Sequence, residues 1–303
     1  MNFPPKAFLK SIKLIGNSIK ILLPLVLFFS VLTASHADDG FYKFLSEGEP
    51  ELSLRYRFAA VNQDGLPENA SASTLQTLLG YKTATVSGVS AYVQFRNVSN
   101  IGSENYNNTI NGRTTYPVVA DPTSTEVDQA YIRFSASDNV ALTAGRRKLQ
   151  WGNQRFISAL GWRQNNRSFD SVVVEAWSDN KDFQAKYAYA WNVNRAFTDK
   201  SAVGNFDSNI HLFNGEYKGF SLGKLQAYAY LVDLNDAFAL GLSTSTFGAR
   251  FDGNTRISDS LKLTYYTEYS SQSDYAGNPG DFTEDYLHAS LGFAANNGLS
   301  VTA

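Results

Sequence analysis

The segment ELSLRYRFAAV, residues 51–61, decides the fold. Leu52, Leu54, Tyr56, Phe58 and Ala60 share one parity, and Glu51, Ser53, Arg55 and Arg57 share the other. Successive side chains of a strand point to opposite faces, so this strand is apolar on one side and charged on the other. Such a strand suits a barrel wall standing between lipid and water. The pattern recurs: Val89, Ala91, Val93 and Phe95 oppose Ser90, Tyr92, Gln94 and Arg96, and Leu261, Leu263, Tyr265 and Tyr269 oppose Lys262, Thr264, Tyr266 and Glu268. Alternation predicts strands near 51–61, 73–85, 89–98, 126–136, 140–148, 170–177, 182–193, 209–217, 223–233, 244–252, 260–270 and 284–294, with a thirteenth starting at Leu299. The segment at 170–177 is ambiguous, because Val172, Val173 and Val174 form a continuous run.

The connections between these segments fall into two classes. Short ones span 86–88, 137–139, 178–180, 218–222, 253–259 and 296–298; long polar ones span 62–72, 99–125, 149–169, 194–208, 234–243 and 271–283. The two classes alternate without exception. Outer-membrane barrels carry short turns at one rim and long loops at the other. A secreted β-sandwich, the competing reading, has no reason to sort its loops this way. Phe41, Tyr42 and Phe44 ahead of the first strand, and Tyr217 and Phe220 at a short turn, suit an interfacial girdle, although strands favour aromatics anyway.

Lys6, Lys10, Lys13 and Lys20 precede the apolar run 21–32, and Ala34-Ser35-His36-Ala37 follows it. Residues 1–37 therefore read as a cleaved signal peptide, and 38–303 as one outer-membrane β-barrel domain. The run is short for a membrane anchor, and no second run of spanning length follows. Removing the signal takes four of the 26 basic side chains and none of the 28 acidic ones, leaving a net charge of −6. An acidic domain is a poor nucleic-acid binder. There is no cysteine, hence no disulfide framework and no thiolate metal site.

The outstanding local feature is GRRKLQWGNQRFISALGWRQNNRSFD, residues 145–170. It holds Arg146, Arg147, Lys148, Arg155, Arg163 and Arg167 with no acid between Arg146 and Ser168. Trp151, Phe156 and Trp162 alternate there with side-chain amides. Arginine offers planar, bidentate recognition of carboxylates. Three readings stand: a lumen constriction acting on a solute, an inward loop whose arginines pair with wall acids such as Glu268 and Asp128, and an external loop. Further basic residues share parity with polar wall positions, among them Arg57, Arg96 and Arg133, and rings of such groups select anions in pores. Asp274, Asp281, Glu284 and Asp285 form a weak candidate for a calcium loop. His211 and His288 sit in strands without an acid–base partner at a recognisable spacing. No nucleophile elbow or phosphate-cradling glycine loop is present, so catalysis has little to work with.

Gly145-Arg146-Arg147, Asn153-Gln154-Arg155-Phe156 and Gly161-Trp162-Arg163-Gln164-Asn165, with Phe169-Asp170, resemble the alginate-export family of outer-membrane porins. Arg55-Tyr56-Arg57, Asp128-Gln129-Ala130-Tyr131 and the run from Glu268 to Tyr275 add to the likeness, which extends from Glu51 to Ala303. The resemblance implies an all-β, 18-stranded, monomeric antiparallel up-and-down barrel whose arginine-rich lumen passes an anionic polysaccharide. This chain departs from that pattern, with twelve strands, the start of another and no terminal aromatic. A C-terminally truncated barrel is the expectation. The expected activity is passive passage of anionic solutes, such as uronate-type oligosaccharide, along Arg146, Arg147, Lys148, Arg155, Arg163, Arg167, Arg133, Arg96, Arg57, Trp151 and Trp162. No cofactor is implied. The expected partners are the solute, outer-membrane lipid and the barrel-assembly machinery. A plugged structural barrel and an outer-membrane enzyme are the alternatives.

Overall fold

The computed structural model describes residues 37–296 and 300–302. Thirteen antiparallel strands form one sheet in sequence order. They are β1 (Glu49–Val61), β2 (Ala70–Lys82), β3 (Val89–Asn105), β4 (Ser124–Ser137), β5 (Val140–Arg147), β6 (Ser168–Trp177), β7 (Phe183–Asn194), β8 (Asn205–Phe220), β9 (Gly223–Val232), β10 (Thr244–Ser258), β11 (Leu261–Asp274), β12 (Thr283–Ala295) and β13 (Ser300–Thr302). Each pairs with its sequence neighbours, as in an up-and-down wall. Among the described residues β1 pairs only with β2, and β13 only with β12. Long and short connections alternate throughout, as the sequence predicts.

Register places most of the large apolar side chains on one face, with a separate apolar patch on the inner face of β6–β9. Leu52 pairs with Leu79, which pairs with Phe95. Further along, Leu142 pairs with Val174, and Tyr269 with Leu287. These residues are exposed; Leu52, Leu54 and Phe58 stand at 66%, 63% and 60%. Water would penalise such a continuous apolar surface, and lipid rewards it. The opposite face is polar, with Arg55 against Gln76 and Arg250 against Glu268. Arg96 and Glu126 also meet on that face.

Several strands run further than the alternation predicts. β8 reaches Phe220, β10 reaches Ser258 and β11 reaches Asp274. Backbone pairing continues past the alternating stretch, into residues that are mostly polar with single apolar ones such as Phe220 and Ile257, and the pattern is lost. The valine run of β6 resolves for a different reason. Val173 is buried on the inner face while Val172 and Val174 take the outer one, so both faces there are apolar. The helix α1 (Ala37–Ser46) has no counterpart in the sequence reading. It carries Phe41, Tyr42 and Phe44, so these aromatics do not belong to the strand wall. The helix stands at the short-turn rim, where Ala84 N donates to Phe44 O at 3.2 Å. The expected signal segment lies outside the described residues, save for Ala37 at the start of α1.

Candidate functional site

Residues 148–167, between β5 and β6, lie across the inner face rather than outside the wall. A turn and a miniature bridge shape the first half. Trp151 N donates to Ile157 O at 3.1 Å, and Gln154 N to Trp151 O at 3.1 Å. Gly152, at φ +62°, and Gln154, at φ +63°, supply the left-handed residues that so tight a reversal needs. The tip reaches β11 and β12. Asn153 Nδ2 donates to Glu268 Oε2 at 2.6 Å and to Tyr266 OH at 2.8 Å, and the Arg155 guanidinium covers the Tyr286 ring at 4.1 Å. Tyr228 OH donates to the other Glu268 oxygen at 2.7 Å.

The second half reaches the other end of the sheet. Arg55 of β1 donates to Gln164 Oε1 at 2.9 Å, to Gly161 O at 2.7 Å and to Arg163 O. Gln164 is fully buried and donates to Thr74 O and Thr74 Oγ1 at 3.0 Å each. Asp121, buried in the β3–β4 loop, accepts from Gln164 N at 3.0 Å and Asn165 N at 3.4 Å, and pairs with Arg57 at 3.3 Å. Asn165 Oδ1 accepts from Arg96 at 3.2 Å and from Ser124 at 3.1 Å. Beside Asp121, Tyr106 donates to Asn100 Oδ1 at 2.7 Å, and burial pushes its phenol up to about 12. One loop thus bridges β1–β4 and β11–β12 over the polar face.

An apolar anchor holds the middle of this loop. Leu149, Trp151 and Ile157 pack with Phe169, Val173, Leu212 and Tyr230 on the inner face of β6–β9. Trp151 is 8% exposed, whereas Trp162 is 61% exposed. Trp151 is therefore a packing residue and leaves the group of expected solute contacts. Trp151→Ala is expected to cost about 3–5 kcal/mol in denaturant unfolding. Trp162→Ala should cost under about 0.5 kcal/mol. Equal losses would contradict the assignment.

The expected cationic residues divide into two sets. Arg57 pairs with Asp121, Arg96 with Asp128 and with Glu126 at 2.8 Å, and Arg133 with Glu175 at 2.6 Å. Lys148 pairs with Asp128 at 2.6 Å. Arg146 pairs with Asp170 at 2.7 Å, but it stands opposite Asp170 on the outer, apolar-side face. Adjacent strand residues face opposite ways, so Arg147 takes the inner face and Arg146 does not. Just before them Gly145, at φ +127°, is required for its own sake, because a Cβ there would stand 2.3 Å from Ala130 O. Arg147, Arg155, Arg163 and Arg167 form no ion pair among the described residues. Arg147 lies over Tyr131 at 5.6 Å. Arg163 lies 4.5 Å over Trp162, which Arg57 approaches at 5.8 Å from elsewhere on the wall.

Two expectations need correction. Glu268 is met by Asn153 and tyrosines rather than by a loop arginine. Asp274, Asp281, Glu284 and Asp285 do not gather; among the described residues no three His, Cys, Asp or Glu side chains could hold a metal ion together. Asp274 instead accepts from Phe282 N at 3.1 Å, and Asp285 from Tyr269 OH at 2.9 Å. The histidines also have partners. His211 Nδ1 meets Tyr187 OH at 2.8 Å, and His288 packs against Tyr266 with ring centroids 4.9 Å apart and the rings tilted by 46°. Of the two hubs of the loop's attachment, Gln164 falls within the stretch that the sequence marks, whereas Asp121 does not. A carboxylate beside a proline in a long polar connection carried too little signal.

A sheet with a lipid-type outer face, a polar inner face and a loop laid across that inner face has the make-up of an outer-membrane β-barrel wall. The family model for alginate export matches residues 40–285, and the chain belongs to that family. No curated protein sequence matches it. Among solved structures it is similar to OccD3 (OpdP) of Pseudomonas aeruginosa, at 16% identity and TM-score 0.59, covering 83% of this chain and 55% of that one. OccAB3 of Acinetobacter baumannii gives 12% identity and TM-score 0.66, covering 85% and 67%. The outer membrane protein OpdK of Pseudomonas aeruginosa gives 12% and 0.62, covering 86% and 67%. The chain spans between about half and two thirds of the length of these structures.

Proposed function

We propose that this protein is a passive channel for anionic solutes, with uronate-type oligosaccharide as the favoured class. In this reading the wall belongs to a monomeric barrel, inserted by the barrel-assembly machinery after signal removal. The observation that carries the reading is the crossing loop. It holds Arg155, Arg163 and Arg167 over the lumen without carboxylate partners, while neighbouring cations are neutralised. Unpaired guanidiniums in a water-filled passage attract carboxylates and raise their local concentration. Exposed Trp162, under the Arg163 guanidinium, offers an apolar face to a sugar ring beside an unpaired charge that suits its carboxylate. No energy source enters this mechanism; the gradient drives the flow.

Proteoliposome swelling tests the solute class. Vesicles carrying the protein should admit glucuronate several-fold faster than glucose at matched osmolarity. Equal rates, or faster glucose entry, would count against the solute class.

A further inference from the structure

Ser168 of β6 pairs with Asn194 of β7, so Arg167 and Arg195 are the next residues beyond the end of that ladder, close enough for the charge of Arg167 to act on Arg195. Arg195 is wedged between two rings, 4.1 Å from Phe206 and 4.6 Å from Phe197, and donates to Val203 O at 2.6 Å. Neither arginine has an ion pair among the described residues. The Nε groups of both are buried and make no hydrogen bond. The Thr198 hydroxyl, in the same loop as Arg195, is also buried and unpaired, on a residue 1% exposed. Thr198 sits at φ +67°, a left-handed conformation that β-branched residues rarely adopt. Strain of this kind collects at ligand-holding sites.

Buried donors left unpaired are costly, and two neighbouring guanidiniums add like-charge repulsion. Burial lowers the pKa of Arg195 and the neighbouring Arg167 charge lowers it further; Arg167 is depressed by burial and then by Arg163. A guanidinium keeps its proton regardless; a bridging water would satisfy the donors but leave both charges unpaired, whereas an anion would meet both needs.

We propose that Arg167, Arg195 and Thr198 form a stationary seat for one oxyanion, the carboxylate of a sugar acid. The inference rests on the anion-channel reading but adds a fixed site and a residue, Arg195, outside the expected path. Arg195 would donate through Nε, Arg167 through Nε and its terminal nitrogens, and Thr198 through its hydroxyl.

Titration calorimetry of the whole protein in detergent tests the seat, with glucuronate and inorganic phosphate as probes. Glucuronate should bind saturably at one equivalent per chain. Arg195→Gln and Arg167→Gln should each weaken it at least tenfold, and Arg195→Lys by a smaller factor, since lysine keeps the charge but loses the fork. If Arg195→Gln fails to fold, Arg195→Lys and Thr198→Val still report. Absence of saturable glucuronate binding, affinity unchanged in the Arg195 variants, or binding of phosphate alone would each overturn the proposal. Ion selectivity in bilayers is a separate readout. Anion preference without saturable binding removes the seat and leaves the channel; saturable binding with cation preference does the reverse.

Discussion

Asp121→Ala is expected to free the crossing loop and raise single-channel conductance several-fold. The Asp121 carboxylate is buried, and it alone accepts from the backbone amides of both Gln164 and Asn165 while pairing with Arg57. Its removal leaves two buried N–H groups without their acceptor and the Arg57 guanidinium without its carboxylate. Breaking such a set costs about 3–5 kcal/mol. The apolar anchor at Leu149, Trp151 and Ile157 remains, so the first half of the loop should stay on the wall while residues 160–166 detach. The wall is built from backbone pairing that does not involve Asp121, so the sheet should survive. Limited proteolysis should cut the variant within 160–166 and spare the parent. Unchanged conductance together with unchanged proteolysis would show that the loop is held by other means.

The second large effect concerns charge. Exchanging Arg155, Arg163 and Arg167 together for glutamate should invert ion selectivity, changing the anion-to-cation permeability ratio on the order of tenfold or more. The three cations have no carboxylate partners among the described residues, so their field is not locally cancelled. The same exchange at Arg96, Arg133 and Lys148 should instead damage folding, because each forms an ion pair with an acid on the wall. The contrast between the sets is the diagnostic. A triple exchange that leaves selectivity unaltered would place the passage elsewhere than beside this loop.

Sequence alternation located most of the strands, because one lipid-type face imposes a period of two on the wall, and it was ambiguous at β6, where Val172, Val173 and Val174 make both faces apolar. It lost the ends, as at Ser258 and Asp274, where pairing outruns the alternating stretch. Composition drew attention to residues 145–170, since a run of cations without an acid is conspicuous in an acidic domain. It could not apportion roles within that run. Trp151 and Trp162 are the same residue type in one loop, yet one is packed and the other exposed, a difference set by the loop's path. Arg146 and Arg147 are neighbours whose opposite faces follow from strand parity, so that division was available and went unused for Arg146. Arg195 was overlooked because its rings, Phe197 and Phe206, flank it from the two sides of a long connection.

The zero-current potential across a planar bilayer holding the protein, with a salt gradient of potassium chloride, tests the central claim most directly. A passage governed by Arg155, Arg163 and Arg167 predicts a potential of the sign set by chloride, shrinking as ionic strength rises and screening shortens the field. A potential of the sign set by potassium at low salt would contradict it.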